Sequence, residues 1–151
     1  MRRVFLLLAF CWLSGISASA QYSTEYEVCI GTAQAQNAMN QCASDEAARA
    51  DGRLNAAYRS LLKAAGHDEF AVAKFRAFEK AWTIYRNAYI SAMYPADDKQ
   101  GAYGSIFPME SDLLWARLSR EQEFVLEKMR NHYEQTAPDA VPAAGNGSET
   151  R

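Results

Sequence analysis

The sequence predicts an all-α fold: a three-helix antiparallel bundle with a long loop between its second and third helices. Three observations predict it. Apolar residues recur every three or four positions along three long stretches. Helix-stopping and helix-starting residues separate those stretches at Gly66-His67-Asp68 and from Pro95 to Pro108. The last residues are rich in Ala, Pro and Gly and offer little to bury.

The first helix is expected over about 33–65. Positions 39, 43, 47, 50, 54, 58, 61 and 65 form one apolar stripe. Its first half is alanine-rich, which lets neighbours come close. Gly52 inside it costs about 1 kcal/mol relative to Ala, so a kink or a close contact is expected there. Gly66 is a natural stop just past the helix, and Asp68 caps the next one.

The second helix is expected over 69–94, ended by Pro95. Phe75, Phe78, Trp82, Tyr85, Tyr89 and Met93 form one stripe. Ala73, Ala77, Ala81, Ile84 and Ala88 form a smaller second face. A helix that is apolar on two sides usually lies between neighbours, which places it in the middle of the bundle. Residues 95–108 carry two prolines, two glycines and two aspartates, which predicts a loop. Tyr103, Ile106 and Phe107 are large apolar groups for a loop. They either fold down over the bundle or present a contact surface. The third helix is expected from near Met109 to Glu134, with Leu114, Leu118, Val125 and Met129 in the core and Trp115 and Phe124 on its flanks.

The chain begins with a basic Met1-Arg2-Arg3, continues with an apolar run to Leu13 and reaches Ala18-Ser19-Ala20. This is the pattern of a secretory signal peptide cleaved after Ala20. The apolar run is shorter than the roughly 20 residues that cross a bilayer. Bulky Phe10 before Cys11, and the early position of that cysteine, argue against a lipid anchor there. The predicted organisation is a signal peptide over 1–20, one helical domain over 21–135 and a disordered tail over 136–151. Without Arg2 and Arg3 the formal charge moves from −2 to −4. That balance argues against nucleic acid, which favours a basic face, and mildly favours a basic partner.

Export to an oxidising compartment makes a disulfide between Cys29 and Cys42 the default. One continuous helix would hold them about 19 Å apart, whereas bridged Cα atoms lie within about 7 Å. A break at Gly31-Thr32, with Thr32 capping the helix that follows, lets a nearly extended segment fold back to Cys42. Two free thiols or a crosslink between chains are the alternatives.

Two constellations stand out. Asp51, Asn55 and Tyr58 lie along one helical edge, and Trp82, Tyr85 and Arg86 share one turn of the next helix. If the helices are antiparallel neighbours, Arg86 meets Asp51, with Asn55 and Tyr85 supplying the hydrogen bonds a half-buried ion pair needs. The reading is a pinning network, with a ligand or partner site as its rival. His67 and His132 have no metal-ligand spacing. Asp45-Glu46 reads as a solvated helix face and Asp97-Asp98 as flexible loop. No nucleophile motif, phosphate loop, haem motif or positioned acid–base pair is present. The expectation is a protein that is not an enzyme, with no metal and no cofactor.

The stretch from Cys29 to Leu126 resembles the LprI-like lysozyme-inhibitor family. The resemblance rests on Met39-Asn40-Gln41-Cys42-Ala43, on Ala50-Asp51-x-x-Leu54-Asn55-x-x-Tyr58, and on Ala81-Trp82-x-x-Tyr85-Arg86-Asn87-Ala88. Gly104-Ser105, Leu118-Ser119 and Leu126 add to it. The family usually has two more cysteines. Ile90 stands at the first of these positions and Leu114-Trp115 near the second, which fits one bridge lost and one kept. Gln122 stands where the family has an arginine. The resemblance implies binding to lysozyme in the bacterial envelope. It makes the chain an exported periplasmic binding protein that inhibits by contact, with Tyr103, Gly104, Ser105 and Phe107 as the partner-binding loop. The alternative is a structural or scaffolding envelope protein with another periplasmic partner. No oligomeric state follows from the sequence.

Overall fold

The computed structural model describes residues 22–137. The predicted signal peptide, the cleavage after Ala20, Cys11 and nearly all of the predicted tail lie outside the described residues. The fold is all-α, with no strand among the described residues. Its frame is three long helices: α2 (Gln36–Ala65), α3 (Glu69–Met93) and α5 (Phe107–Thr136). Two short ones complete it, α1 (Thr24–Thr32) and α4 (Lys99–Tyr103), with a 3-10 turn at Gly104–Ile106.

Each end has a chemical cause. Ser23 caps α1 by accepting from the Tyr26 N–H, and Glu25 and Glu27 follow in the first turn, where the helix dipole favours acids. Gly66 closes α2 at φ +55°, a backbone region that side chains disfavour. Asp68 caps α3 by accepting from the Ala71 N–H at 2.9 Å. Pro108 sits in the first turn of α5, where its missing N–H costs nothing.

The three-helix expectation is met only in part. Residues 95–108 are not an irregular loop. Asp98, expected to be flexible, caps α4 through the Gly101 N–H, and α5 starts two residues earlier than expected. The segment ahead of α2 is not extended either. It is helix α1, Thr32 is its last residue rather than the next cap, and α2 begins at Gln36 rather than Ala33. Gly52 has open space where a Cβ would stand, so no close contact explains it.

Consecutive long helices run antiparallel: Tyr133 near the end of α5 donates to Asp68 at the start of α3, while Tyr94 after α3 meets Phe107 at the start of α5. The outer two, α2 and α5, run parallel. Glu46 bonds Arg120, Arg53 bonds Glu123 and Ser60 bonds Arg130, advancing together along both helices. This pair is the heart of the molecule. Ala43, Ala50, Ala116 and Ser119 are all fully buried, and their small size lets the two backbones approach. The alanine-rich first half of α2 thus does what its composition implies.

The helix expected in the middle is at the side. Phe75, Phe78 and Trp82 of α3 pack on Leu54, Leu61 and Leu126. These large side chains hold α3 away from both neighbours. Its second apolar face, from Ala73 to Ala88, is exposed, as are Tyr85 and Met93 of its expected core stripe. On α5 the core face is Leu118, Ser119, Gln122 and Leu126, whereas Val125 is partly exposed. A second small core gathers Tyr26, Cys42 and Ala43 beneath α1, with Ile30, Met109 and Leu113 around it. Cys29 and Cys42 are joined there by a disulfide, their Cα atoms 5.7 Å apart.

Candidate functional site

The two sequence constellations meet at the middle of the bundle. Arg86 is buried. Its guanidinium lies 3.6 Å from the ring centre of Trp115 and 4.7 Å from that of Trp82, so a flat cation faces two electron-rich rings. Its Nη1 stands 3.9 Å from Asp51 Oδ1, close enough for attraction but too far for a direct hydrogen bond. Asp51 Oδ1 instead accepts from Trp115 Nε1 at 2.8 Å and Ser119 Oγ at 2.7 Å. The Nε–H of Arg86 donates weakly to its neighbour Asn87.

Two of the expected members stand apart. Asn55 is exposed on α2. Tyr85 is half-exposed and stacks on Tyr89. The hydrogen bonds expected from them come from Trp115 and Ser119 of α5, a helix the sequence reading did not bring to this pair. Tyr58 is half-buried against the Leu54–Leu61–Leu126 core, and burial raises its phenol pKa.

Beside Arg86, Glu79 accepts from Gln122 Nε2 at 3.3 Å. Burial lifts the Glu79 carboxyl above its ordinary range, and the Gln122 bond and the Arg86 charge oppose that shift only in part. Burial likewise pushes Arg86 down, with Asp51 and Glu79 pulling back. Gln122 is therefore a buried neutral partner to a carboxylate.

A second polar centre corrects the reading of Asp45-Glu46 as a solvated face. Glu46 is completely buried. Its Oε1 accepts from the Ser23 N–H at 3.0 Å and from Arg120 Nη1 at 2.6 Å. Its Oε2 accepts from Ser23 Oγ and from Arg49 Nε and Nη2 at 3.2 Å. Burial alone would raise this carboxyl; the Ser23, Arg49 and Arg120 contacts outweigh it and hold the pKa below the usual range. Ser23 ahead of Glu25 and Glu27 is a helix-start pattern that signals α1, but the contact with Glu46 spans 23 positions and no local pattern carries it.

The expected contact segment is a packed corner. Tyr103 and Phe107 are half-buried, and both rings meet Tyr94, at centroid distances of 5.3 and 5.0 Å. Tyr103 Oη accepts from the Ala96 N–H, and the Ser105 carbonyl accepts from Asn40 Nδ2. Gly104, Ser105 and Ile106 stay exposed. An open pocket of about 270 Å³ lies alongside, lined by Asn87, Ser91, Tyr94, Lys99, Phe107 and Trp115. His67 and His132 are exposed, and no group of three His, Cys, Asp or Glu able to hold a metal occurs among the described residues. No described helix is long and apolar enough to cross a membrane.

No curated protein and no solved structure matches the chain. The family model described as lysozyme inhibitor LprI matches residues 29–126. That span runs from the first bridged cysteine to the buried Leu126 and takes in Asp51, Arg86 and their α5 partners, well over half of the chain. The chain belongs to the LprI lysozyme inhibitor family.

Proposed function

We propose that this protein is an exported, non-catalytic lysozyme inhibitor of the bacterial envelope, acting through protein–protein contact. The observation that carries the reading is the family match from residue 29 to residue 126. The internal chemistry agrees with it. Asp51, Arg86, Glu46 and Glu79 are engaged with other side chains of the fold, which makes them holders of shape and leaves recognition to the surface. Export rests on the basic start, the short apolar run and Ala18-Ser19-Ala20. In this reading Tyr103 and Phe107 form the supported base of a contact corner whose outer side is Gly104, Ser105 and Ile106.

The test is lysozyme activity titrated with the purified chain beginning at Gln21, against lysozymes of several types. At least one should be inhibited, and inhibition should weaken as salt rises, because exposed charges are screened. Tyr103→Ala and Phe107→Ala should each weaken it. Full inhibition by both variants would remove the corner from the interface, and no inhibition of any lysozyme by the unaltered chain would overturn the reading.

A further inference from the structure

The pocket beside the Tyr94–Phe107 corner has no role in the fold described above. Its walls come from the last turns of α3, from α4 and from α5, and it holds about 270 Å³. Ile90, Tyr94, Phe107 and Trp115 make it largely apolar. Its rings are held in place: Tyr94 meets Phe107 edge-on at 5.0 Å, and Trp115 is fixed by Arg86 on its face and Asp51 at its N–H. A preformed apolar hollow with a few polar groups is the usual form of a small-molecule site, and this volume lies at the small end of the range.

The polar groups on its walls select the ligand. Lys99 is half-buried, and its ammonium donates to the Tyr94 and Ala96 carbonyls. Those bonds fix the ammonium and use two of its three N–H groups. Asn87 Oδ1 accepts from Arg86 Nε, which leaves the Asn87 amide N–H groups for another acceptor. Ser91, one turn further along α3, brings a hydroxyl. The wall therefore offers mainly donors, and one of them is charged. The acids close by in the chain, Asp97, Asp98 and Glu110, do not line the pocket. Asp98 accepts from the Gly101 N–H, Glu110 bonds the Tyr94 hydroxyl, and Asp97 is exposed. A cationic ligand would meet Lys99 with no acid to offset it, and a sugar would find few acceptors for its hydroxyl protons.

We infer that this pocket binds a small carboxylate with an apolar body, the rings and Ile90 enclosing the body and Lys99, Asn87 and Ser91 receiving the carboxylate. An ionised carboxylate only accepts hydrogen bonds, so it suits a wall of donors, and a bond from an ammonium is stronger than one between neutral groups. A free aliphatic acid and the C-terminal residue of a peptide share this chemistry. The site goes beyond the inhibitor reading, and its test needs no lysozyme.

The experiment titrates the chain beginning at Gln21 and follows its NMR signals. That chain has two indole N–H groups, Trp82 and Trp115. N-acetyl-leucine should shift the Trp115 signal and the Asn87 and Ser91 amides saturably. N-acetyl-leucinamide, the same body without the charge, should bind about 10-fold more weakly. 4-Methylpentanoate separates the sources: affinity equal to that of N-acetyl-leucine supports the site with a free acid as its ligand, and weaker but saturable binding supports it with a peptide terminus. Lys99→Met keeps the apolar stem and should lose the preference for acid over amide. Ser91→Phe alters an exposed wall position and should block the pocket, with an unchanged thermal melt establishing that it folds. Lys80→Met, an exposed charge elsewhere on α3, should bind as the unaltered chain does. The site is wrong if neither acid binds, if acid and amide bind equally, or if folded Ser91→Phe binds undiminished. It is also wrong if Lys80→Met loses as much as Lys99→Met.

Discussion

Glu46 is a carboxylate fully withdrawn from water, and such a group is tolerated only when donors replace its hydration. Ser23, Arg49 and Arg120 do so from three segments of the chain, so one side chain ties α1, α2 and α5 together. The folded pKa lies below the ordinary value. A carboxylate shifted this way contributes stability that is fully present above its unfolded pKa of about 4.3. That contribution is lost as pH falls through the lower folded value. Glu46→Gln keeps the shape and removes the charge, so at pH 7 it should cost about 2 kcal/mol. The deficit should shrink by pH 3, as read by urea denaturation at the two pH values; an equal deficit at both would show that the charge is not its source. Glu79 has the opposite sign. Its folded pKa is raised, so its favourable contribution is fully present below the unfolded pKa and lost as pH rises through the folded one.

At the scale of elements, two glycines of similar sequence appearance have different meanings. Gly66 ends α2 at φ +55°, and its own N–H bonds the Leu62 and Lys63 carbonyls. A side chain there meets backbone strain whatever the space around it, so Gly66→Ala should destabilise by about 1–2 kcal/mol. Gly52 lies inside α2 with nothing within 4 Å of an added Cβ. Gly52→Ala should therefore stabilise by about 1 kcal/mol, the helix-propensity difference alone. Thermal unfolding of the two variants beside the unaltered chain decides both. A loss from Gly52→Ala would reveal a constraint at that position. The large-to-small contrast between helices acts at this scale too: alanines and Ser119 close the α2–α5 contact, while phenylalanines and Trp82 hold α3 off.

For the molecule as a whole, the Cys29–Cys42 bridge and the Ser23–Glu46 bonds fasten α1 alongside the small apolar core around Tyr26. The bridge spans 13 positions, and closing a loop of that length contributes about 3 kcal/mol in the chain-entropy account. Reduction, or Cys29→Ser with Cys42→Ser, should lower the unfolding free energy by about that amount. Hydrogen exchange should then show α1 losing protection before α2 and α5, whose mutual contact does not depend on the bridge. Simultaneous loss of protection throughout would mean that α1 is integral to the cooperative core.

Much of the frame was legible locally. The stripe on α2, the stop at Gly66 and the cap at Asp68 follow from periodicity and backbone chemistry, which act over a few residues. The residues Asp51 and Arg86 were legible as a pair for the same reason. Their partners were not: Trp115 and Ser119 lie 64 and 68 positions from Asp51, and no local pattern carries that pairing. Short helices α1 and α4 were hidden because the cues around them, Gly31 and the Pro- and Gly-rich 95–108 stretch, also signal irregular chain. The sequence by itself determined that the chain is helical, where its long helices lie and which family it joins. Only the tertiary structure decided that α2 and α5 form the core pair, that Glu46 is buried and that α3 keeps one apolar face outside. The physical reason is that side-chain size sets how near two helices come, and a helix displays its stripes without saying which one will find a neighbour.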